Sequence, residues 1–189
     1  NSSQFVVAIN KVLTDYAKNV NEAAFNLLDS HDTQRLLTVC GGNKKKALLA
    51  YTLLMTQAGT PCIYYGSEIG LDGGADPLCR KCMIWDKDSQ DREMFDLKQL
   101  IHLRKTYKAL SSSELEWIQA SDTGSYLIFK KQLNDEIIYV ILNNNNKSQL
   151  INLSSLPEGV YTELLTNTEV NTKGTLPVKP YTAWILKKI

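Results

Sequence analysis

The strongest constraint on this chain is a change of pattern near Leu110: helical and strand-like stretches alternate before it, and no helical spacing returns after it. The first part holds two short apolar runs of the buried-strand type, Ala24-Phe25-Asn26-Leu27-Leu28 and Cys62-Ile63-Tyr64-Tyr65. Helical spacing surrounds them. Phe5, Ile9, Val12, Leu13, Tyr16, Ala17 and Val20 recur on one face behind candidate caps Ser2 and Ser3. Ala47, Leu48, Tyr51, Leu54, Met55 and Ala58 make a second face, opened by Gly41-Gly42-Asn43, with Gly59 and Pro61 placed to stop it. Met94, Leu97, Leu100, Ile101 and Tyr107 make a third. Strand, helix, strand with short links favours parallel neighbours joined by a right-handed crossover. Two such strands cannot alone close a barrel or complete a doubly wound layer.

After Leu110, apolar runs come at short intervals: Trp117-Ile118, Tyr126 to Phe129, Ile137 to Leu142, Leu150 to Leu153, Val160 to Leu165 and Ala183 to Leu186. Asp122-Thr123-Gly124, Asn134-Asp135, the run Asn143 to Asn146 and Pro157-Glu158-Gly159 supply turns between them, the asparagine run reading as a hairpin loop. This half reads as a small antiparallel sandwich or barrel that buries its own core.

Composition narrows the partners. With 43% hydrophobic and 22% charged residues, the chain is ordinary for a soluble globular protein. A formal net charge of +1 gives no field to hold a nucleic acid or an anionic membrane. Lys44-Lys45-Lys46 reads as a solvated helix start, and no apolar stretch reaches the length of a membrane span. The four cysteines, Cys40, Cys62, Cys79 and Cys82, are too scattered for a disulfide framework and fit free thiols in a reducing, cytoplasmic setting. Cys79-Arg80-Lys81-Cys82 has the spacing of half a zinc knuckle, or of a redox pair. A zinc site would need further ligands from Cys40, Cys62, His31 and His102, none of which forms a second close pair.

In parallel α/β architectures, functional groups gather at the C-terminal ends of strands. That singles out Ser30-His31-Asp32-Thr33-Gln34-Arg35 and the loop from Ser67-Glu68 to Asp86. Neighbouring His31 and Asp32 would point apart on an extended chain, but where the chain turns both can reach one hydroxyl-rich ligand. The structural alternative is that Asp32 caps a helix while His31 is a core imidazole. The second segment holds Glu68, Asp72, Asp76, Arg80, Trp85 and Asp86. Carboxylate, guanidinium and indole together suit a sugar, whose hydroxyls meet the charges and whose ring face meets the aromatic. A solvated loop anchored by one tryptophan is the alternative.

Four blocks then carry a resemblance. Asn26-Leu27-Leu28-Asp29-Ser30-His31-Asp32-Thr33 resembles the fourth conserved region of the alpha-amylase family, glycoside hydrolase family 13. Gly59 to Gly70 resembles the family's last barrel strand and the turn after it. Gly73 to Asp86 is similar to a loop of the neopullulanase, cyclomaltodextrinase and maltogenic amylase branch. Pro180 to Leu186 is similar to the closing strand of the family's C-terminal β-domain. One departure stands out: Ser67 occupies a position where the family often has Asp.

The resemblance implies a fold of α/β plus all-β type. The last two strands and last helices of a (β/α)8 TIM barrel, residues 1–112, are followed by a C-terminal antiparallel β-sandwich, residues 113–189. It implies a retaining hydrolase of α-1,4-glucans such as starch, pullulan or cyclodextrins. In it Asp32 would be the carboxylate that stabilises the transition state, through the 2- and 3-hydroxyls of the sugar at the cleavage point. His31 would donate to the same sugar, and Asp76 and Arg80 would contact the next glucose on the non-reducing side. Tyr64, Tyr65 and Glu68 carry a weaker claim, since barrel packing explains them equally well.

The nucleophile and the acid/base of such enzymes come from other barrel strands, so this piece is expected to be inactive alone. No metal or cofactor is implied for these residues, although the resemblance admits calcium upstream in a parent enzyme. The open strand edges imply association with another copy or with the rest of a barrel. Two readings stay beside this one: a non-catalytic carbohydrate-binding or structural module, and a zinc-dependent module built on Cys79 and Cys82.

Overall fold

The computed structural model describes residues 1–85 and 97–189, so Asp86 and Met94 lie outside the described residues. Helix α1 (Ser2–Asp15) begins one residue earlier than a Ser2 cap would set it and two earlier than a Ser3 cap would. Asn1 is the cap: its side chain accepts from the Gln4 N–H at 2.9 Å, and the Gln4 side chain answers back to the Asn1 amine. Helix α2 (Lys18–Ala23) leads into β1 (Phe25–Leu27). A short helix α3 (Leu36–Val39) and the longer α4 (Lys44–Met55) then carry the chain to β2 (Thr60–Cys62). Strands β1 and β2 pair in parallel, with Asn26 opposite Pro61. Among the described residues they have no further strand neighbours, and Phe25 and Leu27 stand exposed beside them.

Helix α4 ends at Met55, four residues before Gly59. Its end is met by a cation from α5 (Leu97–Thr106), whose Arg104 guanidinium donates to the carbonyls of Met55 and Gln57 at 2.8 and 2.7 Å and also to Gly59. Gly59 serves the entry to β2 instead. At φ +91° it lies so close to β1 that a Cβ would fall 2.5 Å from the Ala24 carbonyl oxygen. Helix α4 buries Ala47, Leu49, Tyr51, Leu54 and Met55 on more than one side, because α5 and the β-module both flank it. Lys44 and Lys45 are exposed.

The second half holds eight strands: β3 (Leu115–Ser121), β4 (Tyr126–Leu133), β5 (Glu136–Asn143), β6 (Gln149–Asn152), β7 (Val160–Glu163), β8 (Thr168–Asn171), β9 (Thr175–Val178) and β10 (Thr182–Lys188). Six form an antiparallel sheet in the order β3-β4-β5-β10-β7-β8, and β6 pairs with β9 in a second layer. The asparagine run therefore does not close a hairpin. It carries the chain from one layer to the other, and the buried Asn143 side chain holds the crossing by donating to the carbonyls of Val178 and Lys179.

Side-chain alternation on the large sheet feeds two cores. Ile128, Tyr139, Ile141 and Leu186 face the small sheet and pack with Ile151, Leu153, Tyr161 and Val178. Leu127, Phe129, Ile138, Val140, Leu142 and Ile185 face the other way and pack with Leu36, Leu49, Tyr51, Leu100 and Leu110. The helical half and the β-module thus share one continuous core.

Candidate functional site

The chain leaves β1 through a tight turn made by its own polar residues. The Thr33 hydroxyl accepts from the Ser30 N–H at 2.9 Å, and the Ser30 hydroxyl accepts from the Asp32 N–H at 3.1 Å. Because the chain turns here, neighbouring His31 and Asp32 no longer diverge: His31 Nε2 lies 3.3 Å from Asp32 Oδ2. Both side chains are about two-thirds exposed. Neither fits the structural alternative. His31 is no core imidazole, and the carboxylate that receives the first free N–H of α3 belongs to Asp29, whose Oδ2 accepts from Leu36 at 2.9 Å.

The loop after β2 comes back over this turn. A one-turn 3-10 helix (Ser67–Ile69), flanked by left-handed Gly66 and Gly70, redirects the chain, and a second (Leu78–Arg80) presents Arg80. Arg80 joins the two strand ends. Its Nη2 lies 3.5 Å from Asp32 Oδ1 and its Nε 3.0 Å from Asp76 Oδ1, while Nε also reaches the His31 carbonyl at 3.1 Å. The structure thus brings together all four predicted residues, His31, Asp32, Asp76 and Arg80. They form an open cluster of two carboxylates, one guanidinium and one imidazole, a mixture of acceptors and donors that suits vicinal hydroxyls.

The base of the loop is closed by Asp72 and Lys81, 2.6 Å apart; the hydrogen bond from Lys81 and its charge hold the Asp72 carboxyl below the ordinary range. The Tyr65 hydroxyl adds a hydrogen bond to the Lys81 carbonyl at 2.8 Å. Beneath the cluster lies a group that residue-type reasoning passed over. Arg35 is fully buried, its Nε donating to the Cys79 carbonyl at 2.9 Å and its Nη1 to the Tyr65 carbonyl and the Ser67 hydroxyl. Ser67, the departure noted in the sequence, donates to Asp29 Oδ2 at 2.6 Å. A hydroxyl fits between that carboxylate and Arg35, where an Asp would set two carboxylates against each other.

Cys79 is buried, its thiol donating to the His31 carbonyl at 3.2 Å, whereas Cys82 is exposed. Among the described residues no three metal-ligating side chains converge. Glu68 and Tyr64 sit half-buried at the strand end, and Trp85 is exposed beyond it. A cavity of about 570 Å³ lies elsewhere, between α1, α4 and the large sheet, and none of the four cluster residues lines it. Among the described residues no helix is long and apolar enough to cross a membrane.

Comparison with known proteins gives this geometry a setting. The family described as "Alpha amylase, catalytic domain" matches residues 2–134, and "Maltogenic Amylase, C-terminal domain" matches residues 115–185. A cyclomaltodextrinase of Geobacillus thermopakistaniensis (strain MAS1) is 48% identical over 148 residues, covering 78% of this chain and 25% of the relative. An intracellular maltogenic amylase of Bacillus subtilis is 44% identical over 157 residues, covering 82% and 27%. A solved cyclomaltodextrinase structure superposes on 94% of this chain and 32% of its own, with a TM-score of 0.80 and 31% identity. The chain thus spans about a quarter of the length of the curated relatives it matches.

Proposed function

The chain belongs to the alpha-amylase family of glycoside hydrolases, and from that premise we propose that it is part of a retaining enzyme acting on α-1,4-glucans such as cyclodextrins, pullulan or starch. Residues 1–112 contribute two strands and their helices to a (β/α)8 barrel, and residues 113–189 form the β-sandwich that follows. Asp32 accepts hydrogen bonds from the 2- and 3-hydroxyls of the glucose at the cleavage point. Those contacts tighten as the ring flattens toward an oxocarbenium ion, so they act on the transition state more than on the bound substrate. His31 donates to the same sugar. Asp76 and Arg80 bind the next glucose on the non-reducing side.

The observation that carries this reading is the double bridge from Arg80 to Asp32 and Asp76, which makes two separate loops one surface at the strand ends. Nucleophile and proton donor belong to other strands of the barrel, so the 189 residues alone are expected not to turn over substrate. The exposed β1–β2 pair is where the rest of the barrel, or another copy, would pack. Four free thiols and the name of the intracellular Bacillus subtilis relative support a cytoplasmic setting.

Assay of the whole protein on β-cyclodextrin and pullulan tests the reading. Asp32→Ala is expected to lower kcat by about three or more orders of magnitude with the fold retained by circular dichroism. A wild-type protein that binds these glucans without cleaving them would leave a carbohydrate-binding module instead. Near-normal turnover by Asp32→Ala would overturn the role given to that carboxylate.

A further inference from the structure

Arg35 is among the largest fully buried side chains of the protein, and among the described residues no carboxylate lies within salt-bridge distance of it. Burying a guanidinium this way is costly, and an apolar side chain of similar volume would fill the same space without that cost. What the guanidinium has instead of a counter-ion is a set of backbone carbonyls and ring faces. Its Cζ sits 4.2 Å from the Tyr64 ring centroid and 4.7 Å from that of Tyr65.

The groups it engages belong to separate pieces of chain. Tyr65 and Ser67 lie just beyond β2; Cys79 immediately precedes Arg80; the Arg35 N–H itself donates to the Gly73 carbonyl at 2.9 Å, at the start of the same loop. Ser67 passes the network on to Asp29, which fixes the start of α3 and therefore Arg35. The planar fork of an arginine can hold two carbonyls in fixed directions, which a lysine cannot.

We propose that Arg35 is a positioning residue, setting the reach of the loop from Asp72 to Lys81 so that Asp76 and Arg80 meet the glucose beside the cleaved one. This rests on the function proposed above. Arg35 touches no substrate; it acts through Arg80, whose neighbour Cys79 it holds by the carbonyl.

The test uses the whole protein and two substrates: a malto-oligosaccharide, which fills the neighbouring glucose site, and an aryl α-glucoside carrying a single glucose, which does not. Arg35→Lys keeps the charge and loses the fork. Its KM for the oligosaccharide is expected to rise about tenfold, against a change of about threefold or less in kcat/KM for the aryl glucoside. Added to Arg80→Ala, Arg35→Lys is expected to cost the oligosaccharide reaction less than about twofold more, because both changes remove the same contact. Ser67→Ala should move the oligosaccharide KM the same way by a smaller factor, and it carries the test if Arg35→Lys does not fold. Equal losses on both substrates, or effects of Arg35→Lys and Arg80→Ala that multiply, would overturn the positioning role alone. A wild-type protein with no activity on either substrate would overturn the functional reading, and this inference with it.

Discussion

Lys131 is the residue at which the cost of sharing a core between two halves is visible. It sits on the apolar face of β4 that packs under the helices, 1% exposed, and its ammonium donates to the Ser112 carbonyl. Burial lowers its pKa from 10.5 to about 8; Arg104 on α5 adds to the lowering, and Glu114 and Glu22 oppose it. The folded state therefore binds fewer protons than the unfolded state between about pH 8 and 10.5, and stability rises with pH across that window. The full effect is on the order of 2–3 kcal/mol, absent below pH 8 and complete above 10.5. Denaturant unfolding at several pH values checks this against Lys131→Met, for which the rise should vanish. The difference between the two proteins is the quantity to read, because Cys40 and the buried tyrosines Tyr51 and Tyr161, whose pKa values burial raises, pull the other way equally in both. Parallel curves would show that Lys131 titrates alike folded and unfolded. Neither Lys131 nor Arg35 was legible as a buried cation, because a lysine or arginine reads as solvated until tertiary packing covers it. That His31, Asp32, Asp76 and Arg80 stand close together was legible from the strand-end positions of their two segments taken with the family resemblance, whereas the residue types alone left a structural alternative open for each.

At the scale of elements, what could be read ahead depended on whether packing or local chemistry decides. The strands carrying continuous apolar runs, such as Ile137 to Leu142, declared themselves. Strands β8 and β9 did not: Thr168–Asn171 has one apolar residue, Val170, and Thr175–Val178 contains Pro177, which an edge position in a two-stranded layer tolerates. The end of α4 was misplaced at Gly59 because the group that satisfies its last carbonyls, Arg104, comes from another helix. The loop that carries Asp76 and Arg80 depends on close backbone approach in a way the sequence does not announce. A Cβ on Gly73 would lie 2.3 Å from the Leu78 carbonyl oxygen and 3.1 Å from Arg35 Cγ, and the first of these is backbone that cannot swing aside. Gly73→Ala is therefore expected to lower stability by about 1–3 kcal/mol. In the whole protein it should also raise the KM for a malto-oligosaccharide more than that for an aryl α-glucoside. Unchanged denaturation midpoint and unchanged KM would mean the loop accommodates the methyl group by a concerted shift.

For the molecule as a whole, the decisive feature is that the central strands of the six-stranded sheet, β4, β5 and β10, are buried on both faces. An antiparallel sheet of this size commonly leaves one face to water. Here the run Ile137-Ile138-Tyr139-Val140-Ile141-Leu142 alternates between two cores, Tyr139 and Ile141 facing the sandwich and Ile138, Val140 and Leu142 facing the helices. The unbroken apolar run held that information: strict alternation would have meant one wet face, and its absence means two dry ones. The consequence is testable by separating residues 113–189 from the rest. The core between the two layers, with Ile141, Ile151, Tyr161 and Val178 all fully buried, lies entirely within that segment, so the sandwich is expected to fold. Its other face, however, would place Leu127, Phe129, Val140 and Ile185 together in solvent, a patch of the kind that drives association. The segment should sediment as a concentration-dependent oligomer and bind an apolar dye. Phe129→Ser with Val140→Thr should shift it toward monomer while its β-sheet circular dichroism persists, because both side chains leave the inter-layer core untouched. A monomeric segment with no dye binding would mean that the face under the helices closes on itself once they are gone, and that the shared core contributes little to holding the two halves together.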